Sequence, residues 1–375
     1  MSSRQAPRSR EVSAGAVRPA DAFPRVAVIG AAAVPGARIL DTIARAARGA
    51  GDARPPVAID RARGRVATAE WRLIDPTNPA VVRALRGVDV AVWVAAETDL
   101  QSALRARPND RRDLMVRTAQ TLVTAAAAAG VPRFILVTSA KVYGASADNP
   151  IPLPEDAQLN GVRDGGVVGD LLAVEDVVED ARRVHPGLSI TVMRPAALVG
   201  PGIDTVVTRH FEAPRLLTVK GANPAWQFCH VDDLASGVRV VAERDLGPVL
   251  TVGAPGWLSQ EQVEALTGMR RIQLSETTAL GTAARLHRFG VLPAPASELA
   301  HALYPWVIDS ARLRAAGWCA AYDNETCVGA MLESIKGRHA VAGRRVDRMD
   351  AALGAASAAV ALVSTAAVLR RARRS

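Results

Sequence analysis

The chain has 375 residues, 49% of them hydrophobic, and a formal net charge of +9. This length can bury a full core, so one large domain or two closely joined domains are expected. The charge lies in residues 1–23 (+2) and 337–375 (+6), which leaves +1 for residues 24–336 and argues against nucleic-acid binding by the folded body.

Residues 1–23 are expected to be a disordered leader, because they are rich in Ser, Arg, Ala and Pro and lack the apolar centre of a secretory signal. Three cysteines, Cys229, Cys319 and Cys327, form no CxxC pair and no cluster with histidine. The sequence therefore predicts neither a disulfide framework nor a metal site, and a cytoplasmic location fits best.

The first informative stretch is RVAVIGAAAVPGARIL at residues 25–40, which reads as a strand, a tight turn and a helix. A dinucleotide-binding βαβ unit needs such a turn, because backbone N–H groups and the helix N-terminus must approach a pyrophosphate without a Cβ in the way. Gly30, Ala33 and Gly36 occupy the expected GxxGxxG spacing, with alanine, the next smallest residue, in place of the middle glycine. An ordinary strand-to-helix connection is the alternative.

The second strand ends at Asp60, where a dinucleotide fold holds the adenosine ribose hydroxyls. The neighbouring Arg61 could accept a 2′-phosphate, so NAD is favoured while NADP stays open. A solvated loop carboxylate is the alternative interpretation of Asp60.

A third strand ending at Asp75, a short helix and a fourth strand running into Ala95 and Ala96 come next. The run VAVWV is apolar at every position, which is typical of a strand covered on both faces. A helix over residues 112–129 and a fifth strand, FILVTS, follow. This alternation predicts an α/β fold with a doubly wound, Rossmann-like parallel sheet.

Residues 24–195 are expected to form the dinucleotide-binding domain, completed by about 230–253. A smaller substrate-binding lobe is expected from residues 196–229 and 254–337. In the segment FCHVDDLASGV, Asp233 is predicted to cap the following helix. His230 and the two aspartates do not converge at this spacing, so no metal site is predicted.

Six segments in order resemble the extended short-chain dehydrogenase/reductases, in particular the NAD-dependent epimerases and dehydratases of nucleotide sugars: VIGAAAVPG, LID, VWVAA, AGVPRFILVTSAKVYG, MRPAALVGPG and FCHVDDLASGV. The resemblance covers about residues 25–335. It implies an NAD(P) cofactor, a nucleotide-sugar-type small molecule as ligand, and a homodimer as one open assembly state. The resemblance implies that the cofactor is bound by Gly30, Ala33, Gly36, Asp60, Asp75, Ala95 and Ala96. Arg61 and Pro195, which ends the sixth strand, are further candidate cofactor-binding residues.

The chemistry of this family requires a tyrosine as general acid/base, a lysine four residues later that lowers its pKa, and a serine or threonine that orients the substrate oxygen. Ser139 lies at the serine position. Aligning the family's YxxSKxxxE motif on Glu175 places Val167 and Leu171 where the tyrosine and the lysine belong. None of the three tyrosines has a lysine four residues later.

Lys141, on a predicted strand two residues after Ser139, is a second candidate catalytic residue. An exposed lysine at a strand end is the alternative. Two functions therefore stay open. The chain is an epimerase/dehydratase-like enzyme that uses Ser139 with a substitute acid/base, or a catalytically inactive NAD-binding regulatory or scaffold protein at the membrane.

The membrane hypothesis comes from the basic, alanine-rich tail at residues 338–375. Residues 351–369 form a run of 19 without a charge, between arginine clusters, and nine of them are alanine. The length matches a membrane span, but the marginal hydrophobicity favours a helix on an anionic membrane surface, which residues 351–375 would contact. A helix packed on the protein's own surface, or on a partner, is the alternative.

Overall fold

The structure is a computed structural model that describes residues 23–338, 340–341 and 344–345, apart from 53, 97, 104 and 290–293. The predictions of a disordered leader and of a membrane-associated run at 351–369 therefore concern residues outside the described chain, except for Phe23. Within the described part, no helix is long and apolar enough to cross a bilayer.

The β-strands are β1 Val26–Ile29, β2 Val57–Asp60, β3 Glu70–Leu73, β4 Val90–Val94, β5 Arg133–Val137, β6 Ser189–Pro195, β7 Ala197–Val199, β8 Leu216–Val219, β9 Ala225–Trp226, β10 Phe228–His230, β11 Val249–Val252, β12 Leu258–Ser259, β13 Arg271–Leu274, β14 Ala340–Val341 and β15 Arg344–Arg345. The α-helices are α1 Gly36–Gly49, α2 Val81–Ala84, α3 Leu100–Ala103, α4 Pro108–Ala128, α5 Val167–Val184, α6 Val206–Glu212, α7 Val231–Glu243, α8 Gln260–Thr267, α9 Glu276–Arg288, α10 Ala296–Leu303, α11 Ala311–Ala315 and α12 Asn324–Ile335. A 3₁₀ helix covers Ala140–Tyr143.

The predicted doubly wound sheet is confirmed. Seven strands form one sheet in the order β11-β6-β5-β4-β1-β2-β3, and every pair in it is parallel. The chain reverses its direction across the sheet between β1 and β4. Ligands of such sheets bind outside the carboxyl ends of the strands at this reversal.

The sheet is covered on both faces, which explains the continuous apolar runs in its central strands. Val26 and Val28 face a core shared with α1 and α7, whereas Ala27 and Ile29 face a core shared with α4 and α5. All four side chains of β1 are buried. The glycine-containing turn therefore follows directly from the C-terminal end of a fully buried strand.

Short strand pairs lie beyond the sheet: β7 with β10, β8 with β13, β9 with β12, and β14 with β15. Helix α10 packs against α6, β8 and α9 in this part of the molecule. The boundary between a cofactor domain and a substrate lobe stays a prediction.

Two details differ from the expectations. Lys141 lies on the 3₁₀ helix after β5 instead of on a strand, because Ser139 caps that turn by accepting a hydrogen bond from the Lys141 N–H at 3.3 Å. Asp233 does not cap α7. The Nδ1 of His230 accepts from the Asp232 N–H at the start of α7, while Asp233 accepts from the N–H groups of Ala321 and Tyr322.

Candidate active site at the carboxyl edge of the sheet

The turn between β1 and α1 is closed by two glycines with different roles. Gly30 has a φ of +79°, in the region that favours glycine, and an added Cβ there would meet nothing within 4 Å. A Cβ on Gly36 would lie 2.2 Å from the carbonyl oxygen of Gly30, so Gly36 is required for the turn to close at all. The surface over Gly30 and Ala33 is exposed.

Asp60, at the end of β2, is tied to this turn. Its Oδ2 accepts a hydrogen bond from the Ala32 N–H at 2.9 Å, and its Oδ1 accepts from the Arg61 N–H at 2.7 Å. The structure thus brings the predicted ribose-binding carboxylate to the predicted pyrophosphate turn.

Arg61 pairs with Asp75, which follows β3. The Nε of Arg61 lies 2.9 Å from Asp75 Oδ2, and Asp75 also accepts hydrogen bonds from Thr77. The bonds from Thr77, together with Arg61, lower the pKa of Asp75. Asp75 therefore stays ionised and holds the guanidinium that could otherwise meet a 2′-phosphate.

The loops after β4, β5 and β6 carry the remaining predicted residues. Ala95 and Ala96 donate through their N–H groups to the Val137 carbonyl at 2.8 and 3.1 Å. Pro195 is buried as the last residue of β6, where it pairs with Val252. Ser139 is half-buried after β5.

These loops meet in a narrow cavity of about 20 Å³, which is room for about one water molecule. Its lining residues are Ala96, Ser139, Lys141, Val167, Leu171, Ala196, Ala197, Leu198, Thr205 and Val207. The two candidate catalytic residues and the two positions that lack the family's tyrosine and lysine therefore share one cleft.

Glu175, the residue on which α5 was aligned with the family's motif, is fixed by buried hydrogen bonds. Glu175 is buried and accepts hydrogen bonds from Thr138 at 2.7 Å and from Arg194 at 2.6 Å, which fixes α5 against the ends of β5 and β6. Val167 and Leu171 are 6% and 1% exposed and present only apolar side chains to the cleft. Neither can transfer a proton.

Tyr143 does not replace the missing tyrosine. It is 1% exposed, donates its hydroxyl to the Glu155 carbonyl at 2.6 Å and accepts from Arg194 at 3.0 Å. Burial raises the pKa of Tyr143. This phenol is a buried packing group and a poor base at neutral pH.

Sequence reasoning missed two polar residues next to the cleft, Glu298 and His301 of α10. Both are buried, and they lie against Lys141. The cue in the sequence was weak, because one glutamate and one histidine on a short helix are usually surface residues. Among the described residues there is no group of three His, Cys, Asp or Glu side chains that could hold a metal ion.

A parallel sheet in this order, with a glycine turn at its reversal point, defines the doubly wound class of dinucleotide-binding folds. The family model for the NAD-dependent epimerase/dehydratase family matches residues 26–253. The chain therefore belongs to that family.

The chain is also similar to individual proteins and to solved structures. Uncharacterized protein Rv0501 of Mycobacterium tuberculosis is 25% identical over 253 residues, 67% of each chain. A dTDP-glucose 4,6-dehydratase of Streptomyces griseus is 28% identical over 196 residues, 49% of this chain and 56% of the relative. The structure of MoeE5 in complex with UDP-glucose and NAD has a TM-score of 0.59 at 21% identity, covering 83% of this chain and 98% of that one.

Proposed function

We propose that this protein binds NAD(H) and uses it to oxidise a carbinol of a nucleotide-linked sugar, as an epimerase or dehydratase does. The observation that carries the proposal is the order of residues along the carboxyl edge of the sheet. Gly30, Ala96 and Ser139 follow three neighbouring strands, β1, β4 and β5. This arrangement would align a dinucleotide from its pyrophosphate to its nicotinamide, with Ser139 at the reacting end.

The residues at the adenosine end fit the cofactor. The space above Gly30 is open, and the carboxylate of Asp60 stands beside the turn with lone pairs left for ribose hydroxyls. Since Asp75 already pairs with Arg61, NAD is favoured over NADP.

The nicotinamide end must widen before ligands enter, because sites for small molecules usually measure about 300–1,000 Å³. The segment after β7 closes the cleft by pairing with the loop after β4. The Leu100 N–H donates to the Asp204 carbonyl at 2.9 Å, and the Asp204 N–H donates to the Thr98 carbonyl at 3.0 Å. Leu100 and Asp204 are buried, so these two backbone hydrogen bonds would have to separate for a ligand to enter.

In the proposed reaction, NAD when bound would accept a hydride from the sugar and return it later in the same cycle, so the overall reaction is redox-neutral. The Ser139 hydroxyl donates a hydrogen bond to the substrate oxygen and sets its orientation. Val167 and Leu171 exclude water from the reacting carbon, which strengthens the electrostatic interactions there. Besides Ser139, the polar residues that line the cleft among the described residues are Lys141 and Thr205.

Calorimetric titration with NAD and NADP tests the cofactor assignment. Asp60→Asn should weaken NAD binding about ten- to hundredfold, because a hydrogen bond to a charged group contributes about 1.5–3 kcal/mol. Gly36→Ala should disturb the turn through the contact with Gly30 described above. The matched controls are Asp41→Asn on the exposed face of α1 and Gly49→Ala, where an added Cβ meets nothing within 4 Å.

Absence of binding of either dinucleotide by folded wild-type protein would contradict the cofactor assignment. A preference for NADP would show that Arg61 leaves Asp75 to meet the 2′-phosphate. Conversion of UDP-glucose or dTDP-glucose to an epimerised or dehydrated sugar, together with transient absorbance of reduced nicotinamide in a single turnover, tests the reaction. Binding of NAD with neither transient reduction nor sugar conversion would instead favour the inactive regulatory or scaffold protein.

A further inference from the structure

The environment of Lys141 is unusual for a lysine. Its side chain is 8% exposed, although it lines the cleft beside Ser139. Lysine is almost never fully buried without a partner. Its nearest ionic partner is Glu298 Oε2, at 3.8 Å from Lys141 Nζ, which is longer than a hydrogen bond.

Glu298 is held in place by its other oxygen. Its Oε1 accepts a hydrogen bond at 2.9 Å from the Val168 N–H in the first turn of α5, 130 residues away in the chain. A carboxylate is favoured at this end of a helix. Oε2, in contrast, has no hydrogen-bond partner among the residues that the structure describes.

His301 completes the surroundings of Lys141. Its Nε2–H donates to the Lys141 carbonyl at 3.1 Å, which leaves Nδ1 as a buried acceptor, again without a partner in the described chain. Burial, and the nearby charge of Lys141, lower the pKa of His301 to about 4. The imidazole is therefore neutral at pH 7 and anchors the backbone of Lys141 without adding charge.

Burying two polar groups with unused hydrogen-bonding atoms destabilises a fold by about 1–3 kcal/mol each, so such an arrangement calls for a functional reason. A lysine amine has a lone pair on Nζ that can accept a proton from the cleft, and the carboxylate of Glu298 beside it would stabilise the ammonium that forms.

We propose that Lys141 is the general acid/base of this active site, with Glu298 and His301 as its positioning residues, in place of the tyrosine–lysine pair that α5 lacks. The inference rests on the proposed function. In the forward step the carbinol O–H proton passes to Lys141 Nζ, and the hydride on the same carbon passes to an oxidised nicotinamide dinucleotide. A carbonyl forms, and the positive charge lost by the nicotinamide appears on Lys141.

The first test uses Lys141→Arg. Arginine keeps the positive charge beside Glu298 but stays protonated, so it cannot accept a proton. We expect unchanged NAD affinity and a rate of NAD reduction by UDP-glucose that is about 10²–10⁴-fold lower, the usual contribution of general acid–base catalysis. Lys220→Arg, at an exposed lysine, is the matched control.

A larger guanidinium could disturb this buried site, so a second variant is required. Lys141→Met combined with Glu298→Gln removes both charges and leaves no unpaired buried ion. It should fold, bind NAD and fail to reduce it. Glu298→Gln alone should keep the bond to Val168 through its amide oxygen and still lower the rate.

The third readout does not depend on turnover. The chain has three lysines, so protein labelled with ¹³C at lysine Cε should give three NMR signals, assignable with single Lys→Arg variants. Addition of UDP-glucose to NAD-loaded protein should move the Lys141 signal and leave those of Lys220 and Lys336 in place. Glu298→Gln should also move the Lys141 signal in the free protein, which a role in packing alone would not require.

Either an unchanged rate in Lys141→Arg or an unmoved Lys141 signal on addition of sugar would overturn the inference. In both cases turnover of a nucleotide sugar by the wild type would leave the proposed function intact. A wild type that neither reduces NAD transiently nor converts any nucleotide sugar would overturn both, and this would be seen before any variant is compared.

Discussion

At the scale of single residues, the neutral buried His301 should make the protein sensitive to acid. The histidine pKa is 6.5 when unperturbed and about 4 in the folded protein. Between these values the unfolded chain binds the proton and the folded chain does not, so the free energy of unfolding falls as the pH falls from 6.5 towards 4. The contribution is at most about 3 kcal/mol, at about 1.36 kcal/mol per pKa unit.

His301→Gln should remove this part of the pH dependence, because glutamine does not titrate in this range. Its amide N–H can still donate to the Lys141 carbonyl, so the packing is kept. Urea unfolding of both proteins at several pH values from 4 to 7 measures it. The comparison is made as a difference between variant and wild type, since Glu298 and Lys141 face the same site. Parallel pH profiles for the two proteins would contradict a neutral His301.

At the scale of elements, α5 presents positions 167 and 171 to the cleft on one face, one helical turn apart. Val167→Tyr with Leu171→Lys should therefore restore a phenol next to an ammonium. In a Lys141→Arg background, we expect this double change to recover NAD reduction by UDP-glucose. Overpacking of the narrow cleft should lower stability by about 1–3 kcal/mol.

The matched control is Val167→Phe with Leu171→Lys, which adds the same ring without the hydroxyl. Recovery in both variants would show that the phenol is not the active group. Recovery in neither, with NAD still bound, would show that α5 does not place these positions beside the reacting carbon.

At the scale of the whole molecule, the basic tail stays a prediction because residues 346–375 lie outside the described chain. The last helix of the described residues, α12, ends at Ile335. Deletion of residues 346–375 should move the protein from the membrane fraction to the soluble fraction without lowering its melting temperature. High salt should release part of the full-length protein if the arginines bind anionic headgroups. Full-length protein that is soluble at low salt would contradict the membrane hypothesis.

The sequence by itself determined the sheet and the order of residues along its edge. Strands buried on both faces leave continuous apolar runs, and the residue that ends each run is placed by the sheet without help from distant contacts. Gly30, Asp60 and Ser139 could therefore be found from their positions after β1, β2 and β5. The absence of a tyrosine–lysine pair from the motif on α5 was equally visible, because the spacing of that motif is local.

Only the tertiary structure decided what surrounds the cleft. The sequence offered Lys141 as a candidate catalytic residue but left open that it is an exposed lysine, whereas in the structure α10 buries it with Glu298 and with His301, which is 160 residues away along the chain. Asp233 likewise bonds to Ala321 and Tyr322 instead of capping its own helix. Local periodicity reports which face of an element is buried, but not which distant element covers it. The partner of a buried polar group depends on that packing, and so does the chemistry of the site.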